Sequence, residues 1–191
     1  MAKEMYMHKI SQQRFLSALL IAIIVTFPIA TRASSSPALL PANTIVPLSI
    51  SNKFFPEVTK TASSGQNSTV SGHPKATRIV IYVNNDDSKK ITISVDQYAS
   101  SNDASSANKE AVEKSKLVRG FKPLSVPKLG QQSLAGTVTQ GSETHIGLGI
   151  LDGKLIVGVT LAGYELTPLN IAKLVDLARM ENTTAIAALS E

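Results

Sequence analysis

The sequence predicts an α+β domain: a single antiparallel sheet built from two ββα units, with helices packed on one face. Three observations carry that prediction. Two pairs of β-branched runs, 78–83 with 91–98 and 144–151 with 154–161, are joined by short turn-forming segments. Each pair is followed by a stretch with helical apolar spacing, near 102–117 and from 168 onward. The 158 residues after position 33 contain no cysteine, so one packed core without disulfides must hold them together.

Residues 1–33 read as an export signal. Lys3, Lys9 and Arg14 precede an apolar run over 15–29, and Ala30-Thr31-Arg32-Ala33 supplies small residues at the exit. The run is short of the roughly 20 apolar residues that a spanning helix needs. Pro28 near its end suits a cleavage region. Cleavage after Ala33 places Thr31 at the third position before the cut and Arg32 beside it, which keeps an uncleaved leader as the alternative. No cysteine follows the run, so lipid attachment to a new N-terminal cysteine is excluded. The expected location is periplasmic or secreted, with membrane contact only through the leader if it is retained.

Residues 34–58 are expected to form an N-terminal tether with a short edge strand at 42–51, confined to an edge by Pro47. Residues 59–77 are polar and rich in Ser, Thr, Asn and Gly, and predict a flexible surface loop. The core is expected over 78–182. In its first hairpin Ile91, Ile93 and Val95 alternate with Thr92, Ser94 and Asp96, giving one apolar and one wet face. Asn84-Asn85-Asp86-Asp87-Ser88 is the turn. Asn102 or Asp103 should cap the following helix, with Ala104, Ala107, Ala111 and Val118 inward.

A basic, proline-broken connection over 120–128 leads to a short strand at 133–139. Asp152-Gly153 then reads as the two-residue turn of the second hairpin. That register sets Ile150 opposite Leu155, Leu148 opposite Val157 and Ile146 opposite Val159, all on the core face. Thr167 as N-cap and Pro168 at the first position start the last helix, with Ile171, Leu174, Val175 and Ala178 inward. Asn182 is read as its end, and 183–191 as a tail.

Composition excludes several chemistries. Without cysteine there is no thiol nucleophile, Cys-ligated zinc or iron–sulfur cluster. The chain has 19 basic and 14 acidic residues, but four of the basic and one of the acidic residues fall in 1–33. The remainder is nearly balanced, so the high isoelectric point is no sign of nucleic-acid binding. No tryptophan is present, which weakens carbohydrate stacking or an aromatic cage. Gly147-Leu148-Gly149 runs into a hairpin, so no dinucleotide cradle and no cofactor is expected.

The second face of the 144–161 hairpin is unusual. The expected register places Gly147 opposite Gly158, Gly149 opposite Ile156, and His145 opposite Thr160. Glycine inside a strand marks a bend, a close-packed helix, or a close approach by a ligand. His145, Gly147, Gly149, Gly158 and Thr160 are therefore the candidate ligand-binding residues. A metal role for His145 with His73 and a carboxylate from Glu143 or Asp152 lacks ligand spacing, so no metal is expected. Lys114, Lys116, Arg119 and Lys122 form a candidate patch for an anionic surface, although Glu110 and Glu113 dilute it into a solvated helix face. Asn67-Ser68-Thr69 and Asn182-Thr183-Thr184 match the glycosylation acceptor pattern.

One resemblance adds to this reading. The order of a hairpin, an Ala/Ser/Glu/Lys-rich helix, the segment Val126-Pro127-Lys128-Leu129-Gly130-Gln131-Gln132, the hairpin around Asp152-Gly153, and a terminal helix is similar to small exported bacterial PsbP-like α+β domains. It covers roughly 78–180. Those domains often carry a leucine-glycine-acidic corner; here the corner is Leu129-Gly130-Gln131, without the acid. The resemblance implies an accessory, sensor or ligand-binding domain without catalysis, and it transfers no site residue.

Three functions follow as expectations. The first is an exported, non-enzymatic accessory or binding protein of the cell envelope, acting on a protein partner or a small ligand. The second is a small exported enzyme with a dispersed site and His145 as base. The third is an envelope component tethered by an uncleaved leader.

Overall fold

The computed structural model describes residues 40–68 and 74–190. Its elements are a 3-10 turn (Ala42–Thr44), α1 (Leu48–Phe54), β1 (Lys60–Ser68), β2 (Ala76–Val83), β3 (Lys90–Gln97), α2 (Ser101–Leu117), β4 (Lys122–Leu124), β5 (Gln132–Gln140), β6 (Glu143–Asp152), β7 (Leu155–Ala162) and α3 (Pro168–Ala188). The strands form one antiparallel sheet in the order β1-β2-β3-β7-β6-β5-β4. The two expected ββα units are β2-β3-α2 and β6-β7-α3, joined edge to edge where β3 pairs with β7.

Alternation decides what each face does. Ile91, Ile93 and Val95 of β3, Val157 and Val159 of β7, and Ile146, Leu148 and Ile150 of β6 share one fully buried face. Against it pack Phe55, the N-terminal segment Leu40, Ile45 and Val46, and Leu174, Leu177 and Ala178 of α3. Each of these Val, Leu, Ile or Phe side chains contributes about 1.5–3 kcal/mol of burial. The helices do not all lie there: α2 packs on the opposite face, where Ala104 and Ala107 meet Tyr98, Leu151 and Ile156 in a small second cluster. Small residues on α2 let it sit close to the sheet.

Several segments differ from expectation. The strand expected at 42–51 is a 3-10 turn followed by α1, and prolines open both: Pro41 and Pro47 occupy the N-cap positions. A proline suits a helix start, where no donor is needed, and contributes no donor to a ladder. The expected loop over 59–77 contains β1, a nine-residue edge strand. Ser63, Ser64 and Gly65 are exposed, so backbone pairing to β2 holds the strand and no apolar alternation announces it. A register shift between Thr61 and Ser63 bends it. The basic connection includes β4, a three-residue edge strand that tolerates Pro123.

The helices begin at side-chain caps. Ser100, two or three residues before the expected cap, accepts from the Asp103 backbone N–H at 3.1 Å, and its hydroxyl donates to the Asp103 carboxylate at 2.7 Å. Thr167 caps α3 as expected, accepting from Asn170 N–H at 3.2 Å. That helix does not end at Asn182 but runs to Ala188, with Glu181, Asn182 and Ala185 buried.

The second hairpin keeps its faces and changes its register. Ile146 pairs with Leu161, Leu148 with Val159, Ile150 with Val157, and Asp152 with Leu155. The loop is therefore Gly153-Lys154, not Asp152-Gly153. Gly153 has φ +60°, which suits the first loop position of a II′ turn. The slip is two residues, so every side chain keeps its face.

Candidate functional site

The corrected register sharpens the strip read from sequence. On the second face, Gly136, Gly147, Thr160 and Thr92 form one row across β5, β6, β7 and β3. Leu134, Gly149, Gly158 and Ser94 form the next. Gly147 thus faces Thr160 and Gly149 faces Gly158, in place of the Gly147–Gly158 and Gly149–Ile156 pairs expected. His145 pairs with Ala162, not Thr160. All five candidate residues, His145, Gly147, Gly149, Gly158 and Thr160, nonetheless share one face. Gly136, Thr92 and Ser94, which sequence reading missed, complete the rows. Alternation on β3 marked Thr92 and Ser94 as wet-face residues; only strand order reveals that they adjoin the glycines.

Titratable groups lie in the rows on either side of these two. On one side, His145 has an Nε2 shielded from solvent and lies 3.5 Å from Glu143 Oε2, longer than a normal hydrogen bond. Burial pulls its pKa below the ordinary 6.5, opposed by Glu143 and reinforced by Lys90. On the other side, Asp96 is buried and accepts from Thr77 Oγ1 at 2.5 Å. Burial raises its pKa to about 6, against the lowering effect of that hydroxyl. Next along β3, Tyr98 is buried with no hydrogen-bond partner for its hydroxyl among the described residues. Burial, then the nearby Asp96 and Glu110 carboxylates, raise its pKa.

This surface offers a floor without side chains, threonine and serine hydroxyls, one buried carboxyl and one orphan phenol. Gly136, Gly147, Gly149, Gly158 and Ser94 are buried, Thr92 and Thr160 are half-buried, and α2 packs on the same face against Leu151 and Ile156. The surface brings no nucleophile to His145: among the described residues no serine or threonine hydroxyl bonds its ring.

The basic patch lies elsewhere. Lys114 pairs with Glu110, and Lys116 with Glu113 at 2.8 Å, on the exposed side of α2. Arg119 follows the helix and Lys122 begins β4, both exposed. His73 falls outside the described residues, and among these no group of three His, Asp or Glu side chains could hold a metal. Asn182 is buried and donates to Asp152 Oδ2 at 2.9 Å, so the folded protein withholds that glycosylation acceptor.

A separate groove runs beside α2. It is an open, shallow groove of about 470 Å³ between α2, β5 and the segment before β5. Leu134 belongs both to this groove and to the second face, where it pairs with Gly149. Gly130, with φ +58°, turns the chain there; a Cβ would lie 2.7 Å from Leu151 O. Sequence reading noticed the Leu129-Gly130-Gln131 corner but gave it no ligand.

Among the described residues, no helix is long and apolar enough to cross a membrane. No protein-family model and no curated protein matches the chain. Among solved structures, the extracellular domain of PknH from Mycobacterium tuberculosis is similar, with a TM-score of 0.55 at 10% identity, over 73% of this chain and 93% of that one. At that identity the likeness is one of fold.

Proposed function

We propose that this chain is an exported, non-catalytic binding domain of the cell envelope, PsbP-like in layout, that holds a small polar ligand on the second face of its sheet. The observation that carries the reading is the grouping of Gly147, Gly149 and Gly158 on one face, with Gly149 opposite Gly158. Three neighbouring glycines weaken β6 and β7 together, a cost that ligand approach would offset; Gly136, beside them, makes room for the Phe121 ring. The leader at 1–33 and a fold shared with an extracellular domain support export. The long His145–Glu143 contact supports binding over catalysis.

The test is native isolation from the envelope, followed by mass spectrometry of molecules released on denaturation. A small molecule should co-purify with the wild type and be lost from Thr92→Val/Thr160→Val and from His145→Ala. Equal recovery from all three proteins contradicts a ligand on this face.

A further inference from the structure

The groove beside α2 has a recognition chemistry of its own. Asn108 Nδ2 donates to Gln132 Oε1 at 3.0 Å across it. That bond uses one half of each amide. The Asn108 carbonyl and the Gln132 amino group have no other hydrogen-bond partner among the described residues. Exchanging O and N in both amides leaves the same pattern, one free acceptor and one free donor side by side. This is the complement of a peptide unit, which offers one N–H and one C=O.

Charge and shape add two constraints. Lys128 lines the groove and makes no ion pair or hydrogen bond among the described residues, so its ammonium is available to an anion. Val112, Val126 and Leu134 are half-buried and form an aliphatic wall. A volume of about 470 Å³ lies within the usual range for small-ligand sites and admits only a few residues of chain.

We propose that the α2–β5 groove binds the C-terminal end of a short peptide, with the amide pair on its backbone, Lys128 on its terminal carboxylate and the aliphatic wall on a side chain. This site adjoins the glycine floor at Leu134 but uses none of its glycines, hydroxyls or His145.

The test uses the full chain and the probe acetyl-Val-Ala-Leu with a free carboxylate, followed through the methyl resonances of Val112, Val126 and Leu134. Those methyls should shift and saturate. The C-terminal amide of the same peptide, and Lys128→Gln with the free acid, should each bind about tenfold more weakly, as expected for losing one charge-assisted bond. Asn108→Ala/Gln132→Ala should weaken both peptides alike. Unchanged thermal midpoints in the variants show that the fold is kept. His145→Ala should bind the tripeptide like the wild type; a loss there would move the site to the glycine floor and overturn the groove. No methyl shift, equal affinity for acid and amide, or equal affinity for hexanoate would also overturn it.

Discussion

The Glu181 carboxylate, fully buried on α3, accepts the Val46 backbone N–H through Oε2 at 2.9 Å. A residue near the end of the chain therefore fastens its beginning to the core. Tyr82 completes the clamp by donating its hydroxyl to Val46 O at 2.8 Å. Burial raises the Glu181 pKa from 4.5 to about 8, only partly opposed by the Val46 N–H.

Stability should therefore fall with rising pH. Folded Glu181 keeps its proton from 4.5 up to about 8, whereas the unfolded chain releases it near 4.5. The contribution is full below 4.5 and is lost as pH rises to about 8, by a few kcal/mol. Asp96 adds a smaller loss between 3.8 and about 6. Urea unfolding at pH 5 and pH 8.5 checks this: the wild type should be less stable at the higher value, and Glu181→Gln should remove most of the difference above pH 6. Glu181→Ala should cost about 2–4 kcal/mol, through the orphaned Val46 N–H and the cavity.

Gly136 is predicted to be intolerant for a reason that a second substitution can cancel. A Cβ there would lie 2.2 Å from Phe121 Cε2. Gly136→Ala should destabilise by about 1–3 kcal/mol. In a Phe121→Ala background the added penalty should be smaller, and denaturant unfolding of the four proteins reads the difference as a coupling.

Gly163 should tolerate no side chain. Its φ is +77° and a Cβ would lie 1.9 Å from Ser88 O, a backbone atom that cannot swing aside. Gly163→Ala should cost about 2–4 kcal/mol in calorimetry or denaturant unfolding.

Tyr98→Phe separates a ligand contact from a folding contact. The hydroxyl is buried without a partner among the described residues, so removing it should leave stability unchanged or raise it by up to about 1 kcal/mol. The same change should weaken capture of the co-purifying molecule. Loss of stability with unchanged capture would assign the hydroxyl to folding.

Much of this fold is visible in the residues. The alternation of Ile91, Ile93 and Val95 and Thr167 before Pro168 specify their elements locally and occur where expected, and the hairpin at Gly153 forms with its faces kept and its register moved by two residues. β1 was not legible, because a polar strand held by its ladder carries no apolar period. Nor was α1, because Pro47 reads as an edge-strand residue until its position at a helix start is known. Hairpin parity collected His145, Gly147, Gly149, Gly158 and Thr160 on one face, and a two-residue slip preserves parity. Pairing of β3 with β7 and of β5 with β6 added Thr92, Ser94 and Gly136, and long-range strand order is not written in local pattern. The groove joins Asn108 to Gln132 across 24 positions, which no local signal discloses.

The most direct measurement is N-terminal sequencing of the protein recovered from fractionated cells. Export as a binding domain predicts a product in the envelope or external fraction that begins near Ser34, shortly before the buried Leu40. Recovery of the full-length chain in the cytosolic fraction, with its leader intact, would contradict it.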